Sequence, residues 1–327
     1  MKRNLVEAAL VAFVMACGCN EKEVPAPSGK MSGEMVTLNV SVPSAGMTRI
    51  TDVGDEDRIS GIQVFVFREN GALDAWSSSG GNSLSLQCTS GEREVVAIAN
   101  APEIPAVSSR SALEEQISSL GDNSPGGLVM SGSRNVSLTA SSSLSVTVSR
   151  LAARVSIERI VSDFGLDQYR NAELKITGIY LVNAAGEASY CGEPAQPALW
   201  YNKGRNEGEI QELLGSGALD QTLTSETPYE TVHSFYCYPN PVAGDSSEPE
   251  WTPRRTRLVV EAQLDGVTYY YPMTMPQIES NHLYTVSELK ITRPGSSSPD
   301  VPVVSGMASF TVEVADWDEG YTGSFEI

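Results

Sequence analysis

The residues most able to carry chemistry lie in the first fifty. Met15-Ala16-Cys17-Gly18-Cys19 closes a short apolar segment that follows the basic pair Lys2 and Arg3. Small residues ahead of a cysteine suit thiol acylation, in which a lipid replaces the lost leader as the membrane anchor. The apolar stretch from Ala8 to Ala16 is far too short to cross a hydrocarbon core of ~30 Å as a helix, so it reads as an export signal. Cys19 is the better acceptor: Gly18 precedes it, its apolar window is clean, and Asn20-Glu21-Lys22-Glu23 follows. Cys17 is the alternative, with Ala16 and Val14 before it but Glu7 inside its window. The second chemical feature is Arg49, isolated after a strand and followed by Ile50, which offers a trypsin-like protease a scissile bond.

Other reactive residue types form no recognisable set. His233 and His282 have neither metal nor triad spacing, and no nucleophile elbow is present, so an enzyme is not expected. Asp52, Asp55, Glu56 and Asp57 lack the alternating oxygens and closing glutamate of a calcium loop and read as a solvated turn. Cys88, Cys191 and Cys237 are widely spaced and odd in number, which fits buried thiols better than a metal site or redox pair. Neither cofactor nor metal is expected. Asn39-Val40-Ser41 and Asn135-Val136-Ser137 match glycosylation acceptors but lie in apparent strands and carry no weight.

The chain of 327 residues holds 22 basic and 41 acidic side chains, a net charge of −19. Removing residues 1–49 takes away five basic and four acidic ones and leaves 17 against 37, a net charge of −20. Such a surface repels phosphate backbones. The one dense basic run, Arg254-Arg255-Thr256-Arg257, is short and opens an apolar strand, so nucleic acid is not expected as a partner.

Period-two alternation dominates the elements that must position these residues. Val36, Leu38, Val40 and Val42 line one face of a first strand. Ile62, Val64 and Val66 share a face of the next, with Phe65 and Phe67 opposite. Further strands are expected over 94–99, 144–149 and 174–182, and Asp265-Gly266 joins 257–264 to 267–271 as a hairpin. Leu144 to Ile157 contains no turn residue and reads as one long strand at the seam of two sandwiches. The Pro-, Gly-, Asn- and Ser-rich stretch from Gly192 to Arg254 reads as a large irregular excursion. One helix is expected, capped by Ser111 with Glu114 in a capping box, presenting Leu113, Ile117 and Leu120 and ended by Gly121. The expected fold is mainly β: two antiparallel β-sandwich domains of transthyretin-like or Greek-key type with a minor helix.

In order and spacing, the motifs resemble the fimbrillins, the FimA-like shaft subunits of type V pili. They are the acylated leader; Val42-Pro43-Ser44-Ala45-Gly46-Met47-Thr48-Arg49; Ile62-Gln63-Val64-Phe65-Val66-Phe67 before Asn70-Gly71; and Arg150-Leu151-Ala152-Ala153-Arg154-Val155. The closing set is Asn281-His282-Leu283-Tyr284-Thr285-Val286, Pro294-Gly295-Ser296-Ser297-Ser298-Pro299 and Phe310-Thr311-Val312-Glu313-Val314-Ala315-Asp316-Trp317. The resemblance spans nearly the whole chain. It implies a signal peptide over 1–19, a propeptide carrying the first strand over 20–49, and sandwiches over 50–150 and 151–327. It further implies a lipidated precursor at the outer membrane, cut after Arg49 by an arginine-specific protease and then built into a surface fimbrium. Loss of the strand bearing Val36, Leu38, Val40 and Val42 opens a groove, which the C-terminal strand of an identical subunit fills. Phe310, Val312 and Val314 are the donor row, and the Pro294 to Pro302 stretch is a tether that swings it outward. Anchor and tip subunits are the further partners implied.

Two other readings stand beside this one. An anchor or tip subunit would share the folds but keep its first strand or lack a free donor. A surface glycan-binding lipoprotein would display aromatic platforms, for which Trp76, Trp200, Tyr201 and Trp251 are the candidates.

Overall fold

The computed structural model describes residues 33–43, 56–169, 172–192, 196–245, 250–317 and 320–326, the last stretch as backbone only. Residues 33–327 form one compact unit built around two β-sandwich cores.

The first core lies between a sheet of three strands and a sheet of five. β1 (Met35–Ser41) is central in the smaller sheet, between β4 (Ser83–Thr89) and β8 (Ser142–Ser145). In the larger sheet the order is β3 (Leu73–Ser79), β2 (Ile62–Arg68), β5 (Gly91–Ala99), β7 (Met130–Leu138) and β9 (Ser149–Arg150). β2 is buried on both faces, as its two apolar rows require: Ile62, Val64 and Val66 enter the sandwich core, while Phe65 and Phe67 pack outside it with Val96, Ile98 and Leu113.

The second core lies between two further sheets. One has the order β17 (His233–Cys237), β10 (Ala153–Ile157), β20 (His282–Ile291), β21 (Ala308–Asp316) and β22 (Gly320–Glu326), with β11 (Ile160–Ser162) also on β20. The facing sheet orders β16 (Gln221–Leu223), β12 (Leu174–Val182), β18 (Arg257–Leu264) and β19 (Val267–Thr274). Two small ladders complete the described strands: β13 (Ala184–Ala185) with β15 (Trp200–Tyr201), and β14 (Glu187–Ser189) with β6 (Ile117–Ser119). The Asp265-Gly266 hairpin forms as expected, with φ of 50° and 81°, the left-handed pair that matches strand twist. The mainly β, two-sandwich class is therefore as expected. Its sheets are mixed: β8 runs parallel to β1, and β10 and β11 run parallel to β20.

Three local expectations fail for identifiable reasons. The helix α1 spans only Arg110–Glu114 and is capped by Ser109, whose hydroxyl accepts from Ala112 N at 3.1 Å. Ile117 instead enters β6 and is 52% exposed, while the capping box closes a 3₁₀ turn between Ser119 and Asp122. Tertiary pairing of β6 with β14 overrides the weak helical periodicity. The long strand from Leu144 to Ile157 is broken into β8, β9 and β10, because each piece pairs with a different sheet. The excursion from Gly192 to Arg254 contains β15, β16, β17 and a short helix α2 (Gln211–Leu214), elements too short to show a period.

The break after β8 depends on a close approach. A Cβ on Gly132 of β7 would stand 2.0 Å from the carbonyl oxygen of Thr147. Gly132→Ala forces that segment away from β7 and should cost about 1–3 kcal/mol, as overpacking does. A thermal melt of the variant is expected to fall by several degrees; an unchanged melt would show that the 146–148 segment yields freely.

Candidate functional site

β1 is the element around which the first sandwich closes. Val36, Leu38, Val40 and Val42 are all at most 5% exposed, and they pack against Ile62, Val64, Val66, Leu86, Val95, Leu144 and Val146. Complete burial of four such side chains is worth about 1.5–3 kcal/mol each, a total comparable to the stability of a whole domain. On one edge β1 pairs antiparallel with β4 from Met35↔Thr89 to Ser41↔Ser83; on the other it pairs parallel with β8 from Leu38↔Ser142 to Ser41↔Ser145. Without β1, the facing edges of β4 and β8 carry unpaired amides and carbonyls above an open apolar floor, a site shaped for another strand.

A buried carboxylate holds one wall of this site. Asp74, 1% exposed on β3, accepts from the Thr89 amide at 2.7 Å and hydroxyl at 2.8 Å, at the end of β4. It also takes Arg68 at 2.7 Å and Arg93 at 3.2 Å. Burial would raise the pKa of its carboxyl, but the Thr89 amide, Arg68, the Thr89 hydroxyl and Arg93 together hold it below the ordinary value.

At its end, Val42 donates its amide to Asn82 O at 2.9 Å. The predicted cut between Arg49 and Ile50 lies outside the described residues, as do Cys17 and Cys19. Glu56 and Asp57 belong to a polar clamp between the two cores. Glu56, 5% exposed, takes Arg154 at 2.7 Å and the Tyr236 hydroxyl at 2.5 Å. Asp57 pairs with Arg150, which also donates to Asn281 at 3.1 Å. Both guanidinium groups lie over the Trp317 ring, at 4.5 and 5.2 Å from its centroid, and Tyr236 stacks on that ring at 6.4 Å. Burial, then the neighbouring Glu56 charge, raises the Tyr236 pKa, so it stays a neutral donor. The expected solvated turn at Glu56 and Asp57 is thus a buried ion-pair cluster. Acidic residues after a loop gave no signal of it, because the arginines they meet are about a hundred positions away.

The C-terminal row lies within the subunit's own second sandwich. Phe310 and Val312 are 6% and 1% exposed within the subunit's own second core, and Val314 packs partly against it. β21 is hydrogen-bonded on both edges, to β20 and β22. The sheet ends at β22, where Phe325 stands in register with Val312 and Gly323 with Val314. The Pro294 to Pro302 stretch is pinned. Ser296 exchanges both backbone bonds with Tyr270, at 2.8 and 2.9 Å, and Asp300 takes Arg254 at 2.6 Å, Asn183 at 2.9 Å and Arg257.

The remaining candidates are structural. Trp200 is 3% exposed and donates to Pro197 O at 2.8 Å; Trp251 packs edge-on against it at 5.7 Å and donates to Asn183. Tyr201 is half-buried, so only Trp76, 42% exposed, offers an open ring, and the four do not form a platform. His233 accepts from or donates to the Tyr229 hydroxyl at 2.6 Å, and burial lowers its pKa. Cys88, Cys191 and Cys237 are free thiols, and burial pushes the Cys237 thiol up to about 12. Among the described residues no three His, Cys, Asp or Glu side chains converge as metal ligands.

Residues 35–159, the stretch that begins with β1 and ends just after β10, match the family described as the major fimbrial subunit protein FimA. That stretch is similar to fimbrial subunits. It is 23% identical over 297 residues to the major fimbrium subunit FimC of Porphyromonas gingivalis, covering 85% of this chain. The chain spans 61% of that relative's length. A crystal structure of a putative cell adhesion protein from Bacteroides eggerthii superposes with a TM-score of 0.67 at 21% identity, over 87% of this chain and 97% of that one. A fimbrilin from P. gingivalis W83 superposes with a TM-score of 0.59 at 18% identity, over 88% and 99%. These likenesses give the fold.

The Asp74 network gives the first sandwich a pH dependence of definite sign. A carboxyl whose folded pKa is lowered contributes stability above its unfolded pKa, near 3.8, and loses it as pH falls through the lower folded value. The urea midpoint of the full chain should therefore drop below pH 4. Asp74→Ala should cost about 3–5 kcal/mol at pH 7 by stranding Arg93, and its midpoint should fall less steeply in acid than that of the parent chain.

Proposed function

We propose that this protein is a pilus shaft subunit that polymerises by strand replacement after proteolysis. The observation that carries the reading is the position of β1: one strand, a few residues before Arg49 in sequence, supplies a complete apolar row and closes two sheet edges. The precursor is acylated at Cys19, or at Cys17, and displayed at the outer membrane. An arginine-specific protease cuts between Arg49 and Ile50. With its covalent link lost, the strand of Val36, Leu38, Val40 and Val42 leaves, and a C-terminal strand of an identical subunit takes its place between β4 and β8. Anchor and tip subunits end the polymer, and the assembled fimbrium supports adhesion.

The donor is the C-terminal hairpin, and its outermost strand leaves first. β22 is held by one ladder and ends its sheet, so withdrawing it breaks bonds on one side only. In sequence, residues 321–327 alternate Tyr321, Gly323, Phe325 and Ile327 with Thr322, Ser324 and Glu326, the period of a strand. Withdrawing β21 would break two ladders and empty the places of Phe310 and Val312 in their own core. That row therefore serves as the fixed base of the hairpin in this reading. The pinned Asp300 segment keeps the base in place.

Deleting residues 320–327 tests this assignment. The truncated chain should fold, be cut to a subunit beginning at Ile50 by mass, and give no ladder of heat-resistant oligomers on a gel. Removal from Met307 onward should instead unfold the second sandwich. Persistence of the ladder without 320–327 would remove β22 as the donor, and a surface form beginning at Cys19 or Cys17 would favour an anchor.

A further inference from the structure

The Arg-Ile pair at 49–50 recurs nine residues on, at Arg58-Ile59, and once more at Arg159-Ile160 inside the second sandwich. The first two bonds offer a protease the same side chains on either side of the cut, yet the consequences differ. A cut after Arg58 removes Glu56 and Asp57, leaving Arg150 and Arg154 without these carboxylates beside Trp317 at the end of β21. Resting on the proposed processing, we infer that Arg58-Ile59 is a guarded cleavage site and that Glu56 and Asn100 are the residues that guard it.

The argument begins with what a protease requires. A substrate enters an active-site cleft as an extended segment, with its main chain bonded to the enzyme and its alternate side chains in pockets. The Arg58 side chain is exposed and free to enter such a pocket. Every neighbour is engaged. Two positions upstream, Glu56 is buried on Arg154 and Tyr236, and one upstream, Asp57 is paired with Arg150. Downstream, Ile59 packs against the first core.

The main chain is held as firmly. The Arg58 carbonyl, which a protease must polarise, accepts from Asn100 Nδ2 at 2.7 Å. Asn100 Oδ1 takes the Ser60 amide at 2.8 Å and the Ser60 hydroxyl at 3.0 Å, so one side chain spans the scissile bond. Asn100 is itself fixed: Nδ2 also donates to Leu128 O at 2.9 Å, its amide donates to Gly61 O at 3.0 Å, and it sits at φ 59°, a conformation asparagine tolerates. Cleavage after Arg58 therefore needs local opening, and its rate follows the population of the opened form. Processing is confined to the stretch before Glu56, and the mature subunit keeps the clamp that fixes Trp317.

The test is limited digestion of the purified full chain with an arginine-specific protease, with products identified by mass. In the native chain the 58–59 bond should be cut at least tenfold more slowly than in the same chain after heat denaturation. Glu56→Gln, which removes the charge facing Arg154, and Asn100→Gly, which keeps the backbone angle and removes both ties, should each raise that rate tenfold or more and add a product beginning at Ile59. A thermal melt confirms that each variant is folded. Equal rates in native and denatured wild type would overturn the inference, as would folded variants that remain uncut. A denatured chain that also resists cutting would show that the acidic neighbours, and not the fold, protect the bond. If the native chain is never cut after Arg49 while 58–59 is still guarded, the processing reading fails and this one stands.

Discussion

The first sandwich depends on a strand that is covalently peripheral and structurally central. β1 lies near the start of the described chain, yet it supplies the middle strand of its sheet and four fully or almost fully buried side chains. Ordinary edge strands are protected by being short, charged or covered; here the vulnerable edges are those of β4 and β8, and the protecting element is β1 itself. The outer row of β1, Thr37, Asn39 and Ser41, keeps that sheet uncharged and polar on its other side. Asn39 is bonded to Ser85 at 2.5 Å and Thr37 to Gln87 at 2.8 Å. The strand is thus specified by its pattern, apolar inside and polar outside, which any strand with the same alternation can satisfy.

Two polar networks keep the remainder rigid. Asp74 ties the end of β4 to β2, β3 and β5, so the slot wall has its own support apart from β1. The Glu56, Asp57, Arg150, Arg154 and Trp317 cluster joins the start of the described stretch at Glu56 to the base of the C-terminal hairpin. Buried ion pairs contribute little net stability against apolar substitutes, and breaking one is costly. Their effect here is to fix position: the same contacts locate the start of the chain's body and the end of β21. Asp300 does likewise for the Pro-rich connection before β21.

Much of this was legible in the sequence where the period was long and the burial one-sided or two-sided throughout. The β1 row, the two rows of β2 and the Asp265-Gly266 hairpin all stand where alternation and turn chemistry put them. The failures share a cause, which is pairing at a distance. Leu144 to Ile157 reads as continuous because nothing local interrupts it, yet three sheets divide it. The Ser-rich run after Pro294 reads as a free tether because its partners, Arg254, Arg257 and Tyr270, are remote in sequence. Of the site, the buried β1 row was legible, the clamp was not, and the Asn100 ties across Arg58 carry no sequence signal at all.

The central claim is that β1 is exchangeable within an otherwise intact sandwich, and hydrogen exchange on the amides of 84–89 and 142–145 tests it most directly. In the precursor these amides should be protected to the same degree as those of β5. After the cut at Arg49 and removal of the released peptide they should exchange orders of magnitude faster while β5 stays protected, and incorporation into filaments should restore them. Slow exchange throughout would mean that β1 never leaves, and loss of protection in β5 together with β4 and β8 would mean that the sandwich unfolds without it; either result contradicts strand replacement.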